Sequence, residues 1–289
     1  MENVLYFLES LVRYQFLQNA LLAAVLVGFT CGIIGCFIIL RGLSLMGDAI
    51  SHAVLPGVAL AYMLGFSLFI GAVITGVLTA LGTGYIARNS KLKEDAAIGI
   101  AFTAAFALGV VLITSMRGSG IDLWHILFGN VLAVSRSDLL VTLVLGIVVL
   151  ACIVLFYKQL MLSTFDPVMA QATGLPVKQI HYLLMLLLSL VTVAALQTVG
   201  IVLVVAMLIT PGATAFLLTH RLPIMLALSA VFGVCSSVLG VYLSYIYDTA
   251  TGASIVLVAS IVFFLCFFLS PKQGFIKRFL MLLRRSSHV

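Results

Sequence analysis

The chain has 289 residues, of which 63% are hydrophobic and only 8% charged, and its formal net charge is +6. Soluble globular chains carry about 25% charged residues and about 45–50% apolar ones, so no soluble fold of this length hides so much apolar surface. The basic excess is no nucleic-acid footprint: Lys and Arg sit between apolar runs and are not clustered with aromatics, the pattern that membrane insertion leaves.

In chain order, residues 1–15 (MENVLYFLESLVRYQ) show no cleavable signal pattern. They mix Glu2, Glu9 and Arg13 with Leu and Phe at helical spacing, which predicts an amphipathic helix at a membrane interface. Apolar runs of about 18–25 residues, enough for a helix to cross roughly 30 Å of hydrocarbon, follow at 16–40, 44–64, 66–87, 95–115, 138–157, 181–197, 199–219, 224–246 and 252–270. A shorter piece, 123–134, is too short to cross and reads as a re-entrant or interfacial helix. The prediction is an all-α integral membrane protein of about nine transmembrane helices. It has three parts: the interfacial helix 1–15, a transmembrane domain 16–270 containing the loop 158–180, and a basic cytoplasmic tail 271–289.

Charge sets the orientation. With the N-terminus outside, the inner loops and tail hold Arg41, Arg88, Lys91, Lys93, Lys158, Lys178, Arg221, Lys272, Lys277, Arg278, Arg284 and Arg285, twelve of the fifteen basic residues. Arg13, Arg117 and Arg136 stay outside. That positive-inside bias fixes an odd number of spans and a cytoplasmic C-terminus, with the tail lying on anionic lipid. The five cysteines stand singly in apolar stretches without a CxxC pair, so they read as small buried hydrophobes.

The second run places Asp48 and His52 inside an otherwise apolar helix. Ionisable groups there cost a few kcal/mol and mark a functional site by default. The i, i+4 spacing puts both on one face. Counting about 1.5 Å per residue from Arg41 sets Asp48 roughly 10 Å and His52 roughly 16 Å into the membrane. A carboxylate with an imidazole suits a first-row ion such as manganese or zinc, and a two-fold dimer would double the set to four donors. Structural pairing and a proton relay are the competing readings of the same residues. Pro56 with Gly57 allows a bend just beyond, and Pro56–Gly57 and Pro211–Gly212 are candidate hinges, since proline frees a carbonyl and glycine tolerates bending. His125, near Trp124 and Asp122, reads as structural, as do His181 and His220 at inner helix ends, where imidazole suits terminal carbonyls.

Within loop 158–180, Asp166 is an N-cap followed by Pro167 at the first helical position. Gly174 supplies a left-handed C-cap and Pro176 stops continuation. The two turns between carry Val168, Met169, Ala170 and Ala172, either a docking helix for a partner groove or a simple surface turn. GxxxxGK[ST] is absent, so the chain has no P-loop for ATP.

Four blocks in order resemble the permeases of ABC transporters for manganese, zinc and iron: GCFIILRGLSLMGDAISHAVLPGVALAY (35–62), DLWHILFGNVLAV (122–134), STFDPVMAQATGLP (163–176) and VGIVLVVAMLITPGATAFLL (199–218). The layout is also similar to the larger cobalamin and siderophore permeases in compact form. GDAISHAVLPG looks most like the manganese branch of Gram-positive bacteria. The resemblance implies a multi-pass plasma-membrane permease that is not itself an enzyme and keeps no permanent cofactor. Its cargo would be a divalent metal, manganese foremost, contacted by Asp48 and His52. Its implied partners are an ATP-binding cassette subunit inside, engaged through Asp166, Pro167, Ala170, Gly174 and Pro176, an extracytoplasmic metal-binding lipoprotein or periplasmic protein, and a second permease copy. Gly212 departs from the family, where alanine is common, and would loosen its helix slightly. The expected mechanism is alternating access, with motion at the coupling segment changing which side sees Asp48 and His52. A zinc or iron importer of the same family is the alternative. An ATP-independent secondary transporter would need internal repeats with paired broken helices, and an intramembrane metalloenzyme would need HExxH or further ligand pairs; neither is found.

Overall fold

The structure is a computed structural model describing residues 2–115 and 131–270. Asp122, Trp124, His125, Arg117, most of the short piece 123–134 and the basic tail lie outside the described residues. The helices are α1 (Glu2–Arg13), α2 (Gln15–Leu40), α3 (Ser44–Ala53), α4 (Leu55–Leu64), α5 (Leu68–Asn89) and α6 (Glu94–Ser115). After a 3-10 turn at Val131–Ala133 come α7 (Arg136–Leu155), α8 (Tyr157–Phe165), α9 (Pro167–Ala172), α10 (Val177–Val199), α11 (Ile201–Leu218), α12 (Leu222–Tyr247) and α13 (Thr251–Leu269).

Among the described residues nine segments, α3 and α4 counting as one, are long and apolar enough to cross a membrane. They coincide with the nine predicted runs. The largest shift of an end is at α10, which starts at Val177, because its first turn carries the polar Lys178 and Gln179 that an apolar-run criterion leaves out. The loop predicted at 158–180 is itself largely helical, forming α8 and α9.

The α2 helix, the α3–α4 pair and α10 are enclosed by the others, whereas α6, α7 and α13 keep most of their surface outward. Lipid is as apolar as the helices, so small residues and polar clasps hold such a bundle together. Ser229 and Ser237 on α12 donate to the carbonyls of Gly32 and Ala24 on α2 at 2.7 and 2.8 Å. Buried Cys36 lies 3.6 Å from the Met225 carbonyl across the same interface. Helix α1 docks through Phe7, edge-on to Tyr242 at 5.2 Å, while Leu5, Leu8 and Val12 point away from the bundle.

The second span is interrupted at Val54, whose backbone stays right-handed helical (φ −72°, ψ −23°). Helix α3 ends at Ala53 and α4 begins at Leu55, with Pro56 in its first turn. Proline has no N–H for the carbonyl four residues earlier, which is that of His52. The Val54 N–H takes that carbonyl instead, tightening the turn. The break thus falls at Val54, two residues before Pro56 and just beyond the Asp48–His52 pair. Gly57 lies inside α4 as a helix-crossing point, since a Cβ there would overlap the Gly71 carbonyl oxygen and the Thr75 hydroxyl of α5.

Candidate functional site

Asp48 and His52 stand on one face of α3, one turn apart. His52 Nε2 is 3.4 Å from Asp48 Oδ1, with the two side chains 27% and 42% exposed within the single chain. A charge-assisted hydrogen bond measures about 2.7–2.9 Å, so the two groups face each other without closing on each other. Two donors about 2.0–2.2 Å from one ion, at roughly a right angle, stand about 3 Å apart, close to what is found here. The other ring nitrogen, Nδ1, is buried with no hydrogen-bond partner among the described residues. From α6, Phe106 meets the imidazole edge-on at 5.5 Å and Phe102 lies 6.0 Å away. These rings wall one side of the imidazole. Ser51, beside the pair in sequence, is buried and donates to the Gly47 carbonyl at 2.9 Å within its own helix. Among the described residues no group of three or more His, Cys, Asp or Glu gathers in one place. Among the described residues one chain therefore brings two such side chains, Asp48 and His52, together here.

The short helix α9 is capped at both ends as its sequence predicts. Asp166 Oδ1 accepts from the Met169 N–H at 2.8 Å, with Pro167 in the first turn. At the other end Leu175 N–H reaches the Ala170 carbonyl and Gly174 N–H the Gln171 carbonyl, both at 3.0 Å, around Gly174 at φ +80°. This is a Schellman motif, which satisfies carbonyls a six-residue helix would leave bare. Val168 (75%) and Met169 (52%) are exposed, whereas Ala170 is fully buried. Ala170 therefore anchors α9 to the bundle and is no contact surface for a partner; the outward face belongs to Val168 and Met169. Left-handed backbone costs a non-glycine residue roughly 1–2 kcal/mol. Gly174→Ala is accordingly expected to speed amide exchange at residues 171–175 by about fivefold or more, measured by hydrogen–deuterium exchange, with exchange in α10 unchanged.

Pro211 lies within α11, and Gly212 packs against α2, where an added Cβ would come 3.1–3.2 Å from backbone atoms of Gly35 and Cys36. Gly212 thus allows two backbones to approach. His181 differs from its expected role. It stands in the second turn of α10, the end that presents N–H groups and no free carbonyls, and its Nε2 lies 4.0 Å from Glu94 Oε1. Residues 94 and 181 are far apart in sequence, and no local pattern announces their meeting. His220 follows the end of α11 and is exposed.

With this geometry in hand, comparison with known proteins gives a consistent result. A family profile described as the ABC 3 transport family matches residues 13–270. The manganese transport system membrane protein MntC of Halalkalibacterium halodurans is 72% identical over 279 residues, covering 96% of each chain. The protein of the same name from Listeria monocytogenes is 59% identical over 268 residues, 93% of this chain and 95% of the relative. Among solved structures, PsaBC from Streptococcus pneumoniae in complex with Fab superposes with a TM-score of 0.85 at 51% identity, covering 95% of this chain and 99% of that one. A second, described as a metal-chelate type ABC transporter in an inward-facing conformation, shares the fold with a TM-score of 0.70 at 18% identity, over 89% and 87% of the two chains. An all-helical bundle of membrane-length segments and likeness along nearly the whole chain converge: this protein belongs to the ABC 3 transport family of membrane permeases.

Proposed function

We propose that this chain is the membrane-spanning permease of an ATP-driven manganese importer, with Asp48 and His52 contacting the ion in transit. One observation carries the mechanism. At a helix break inside an apolar span, a carboxylate and an imidazole face the same way, neither bonded tightly to the other nor sealed from their surroundings. Charge in that setting is costly unless something positive visits it. The choice of manganese follows from the names of relatives 72% and 59% identical along almost the whole chain.

In this reading the N-terminus and α1 lie at the outer surface and the Arg41 end faces the cytoplasm, where α9 docks through Val168 and Met169 into an ATPase subunit. The 289 residues hold no phosphate-binding loop, which supports a motor carried by a separate subunit. An extracytoplasmic metal-binding protein delivers the ion. A second copy of the permease completes the donor set around a two-fold axis. Asp48 holds the ion by charge and His52 by a nitrogen lone pair, while Phe102 and Phe106 restrict the imidazole to orientations that keep it near Asp48. The break at Val54 lets α3 tilt separately from α4, which changes the side to which the pair is open, and Pro211 gives α11 a second weak point.

The test has two arms. Cells lacking the chain are expected to lose manganese accumulation by at least about tenfold, with zinc and iron contents unchanged; intact manganese uptake with zinc lost would overturn the metal assignment. In proteoliposomes the purified chain alone is expected to pass no manganese, and flux without an ATPase would overturn the ATP-driven part.

A further inference from the structure

Between α2 and α3 the chain turns through Arg41, Gly42 and Leu43, and the Arg41 side chain leaves this turn for α8. Its Nη2 donates to Ser163 Oγ at 2.7 Å and its Nε to Thr164 Oγ1 at 3.0 Å. Among the described residues these are the side-chain hydrogen bonds that join α8 to a segment distant in sequence, the α2–α3 turn. Ser163 is buried and Thr164 partly so. Only Phe165 and Asp166 separate these hydroxyls from α9, and only Gly42 and Leu43 separate Arg41 from α3. Asp48 follows seven residues after Arg41, about 10 Å along a helix. The guanidinium therefore links the segment that ends in the capped helix α9 to the segment that carries the Asp48–His52 pair.

The surroundings hold that link under electrostatic tension. Burial draws Arg41 down from its usual range to about 10, with Arg88 at the end of α5 adding repulsion and Glu94 at the start of α6 opposing it. The side chain stays charged at neutral pH. His181 sits 4.0 Å from Glu94, so α5, α6 and α10 all bring polar groups to the same end of the bundle. A planar fork spanning two hydroxyls on adjacent residues fixes both distance and angle, which an ammonium cannot do.

We propose that Arg41 is a positioning residue for transport, transmitting displacement of α9 to the helix bearing Asp48 and His52 through its paired hydrogen bonds to Ser163 and Thr164. This rests on the reading of α9 as the helix that meets the ATPase. When α9 moves, α8 moves with it, and the two bonds pull the α2–α3 turn and hence the inner end of α3.

The test uses the full permease with its ATPase in proteoliposomes, measuring ATP hydrolysed per manganese ion moved. Arg41→Lys keeps the charge and loses the fork, and Ser163→Ala with Thr164→Val removes the acceptors. Each is expected to raise ATP consumed per ion by at least about fivefold, with the ATPase still co-purifying and the manganese concentration for half-maximal uptake unchanged. Combining all three is expected to be no worse than either alone, the signature of one shared interaction. Wild-type stoichiometry in Arg41→Lys, or additive losses in the combined variant, would overturn the proposal. Met169→Glu on the exposed face of α9 reports on the docking reading separately. An ATPase that stays bound and stimulated in that variant removes the docking reading and this inference with it. Loss of binding in Met169→Glu together with normal stoichiometry in Arg41→Lys removes this inference alone.

Discussion

Replacing Asp48 by Asn is expected to abolish manganese uptake while leaving the permease folded and assembled. The substitution keeps shape and volume, and among the described residues the Asp48 carboxylate accepts no hydrogen bond that shapes the fold; the imidazole lies 3.4 Å away. What disappears is the negative charge. Two unit charges about 4 Å apart in a medium of effective dielectric near 20 attract by roughly 4 kcal/mol, and about 1.4 kcal/mol is a factor of ten in occupancy. A divalent ion meeting an amide in place of a carboxylate therefore loses on the order of a thousandfold in residence. His52→Ala is expected to be milder than Asp48→Asn, because a neutral donor is lost and no charge. Radiolabelled manganese uptake, read beside co-purification of the ATPase, checks both. Asp138 provides the control: it belongs to an exposed cap at the start of α7, bonded to Ser135, and Asp138→Asn is expected to transport normally. Transport by Asp48→Asn at the control rate would remove the pair from the ion's path.

Hydrocarbon thickness explains why so much of the fold can be read from the chain. A span needs a fixed length of apolar residues whatever it packs against, so the nine runs appear before any contact is known. The pairing of Asp48 with His52 and the capping of α9 are equally local, each decided within a turn or two of helix. The break at Val54 was also available. Pro56 disturbs the turn behind it, at the carbonyl of His52, so a proline there announces an interruption just beyond the pair. Other features have no local signature. Ala170 lies inward because of what surrounds a helix too short to show a period. The Phe102 and Phe106 wall beside His52, the approach of Glu94 to His181, and the reach of Arg41 to Ser163 and Thr164 all join residues 50 or more positions apart. In a chain that is apolar nearly throughout, lipid-facing and protein-facing positions look alike, so the pattern names the spans without naming their neighbours.

Gly57→Leu is expected to cost the protein its stable fold, and the reason lies in how the broken span is held. At the crossing of α4 and α5 the added Cβ would overlap the carbonyl oxygen of Gly71, and a Cβ at Gly71 would overlap that of Gly57 in return. Backbone cannot swing aside as a side-chain tip can, so the two helices must separate. Separation strips contacts from a second clasp: Thr75 on α5 donates to the Gly71 carbonyl at 3.0 Å and lies 3.4 Å from the carbonyl of Val54, the residue at the break itself. Overpacking of a tight interior costs typically about 1–3 kcal/mol and more where backbone is the obstacle, so even Gly57→Ala is expected to lower the unfolding midpoint in detergent by roughly 5–10 °C. Gly82→Ala, on α5 with open space around its Cβ position, serves as the matched comparison and is expected to leave the midpoint unchanged or slightly raised. Equal midpoints for the two alanine variants would show that α4 and α5 can part without loss. If α4 parts freely from α5, the break at Val54 has no fixed outer half against which α3 can tilt, and the ion pair loses the pivot that access from alternate sides requires.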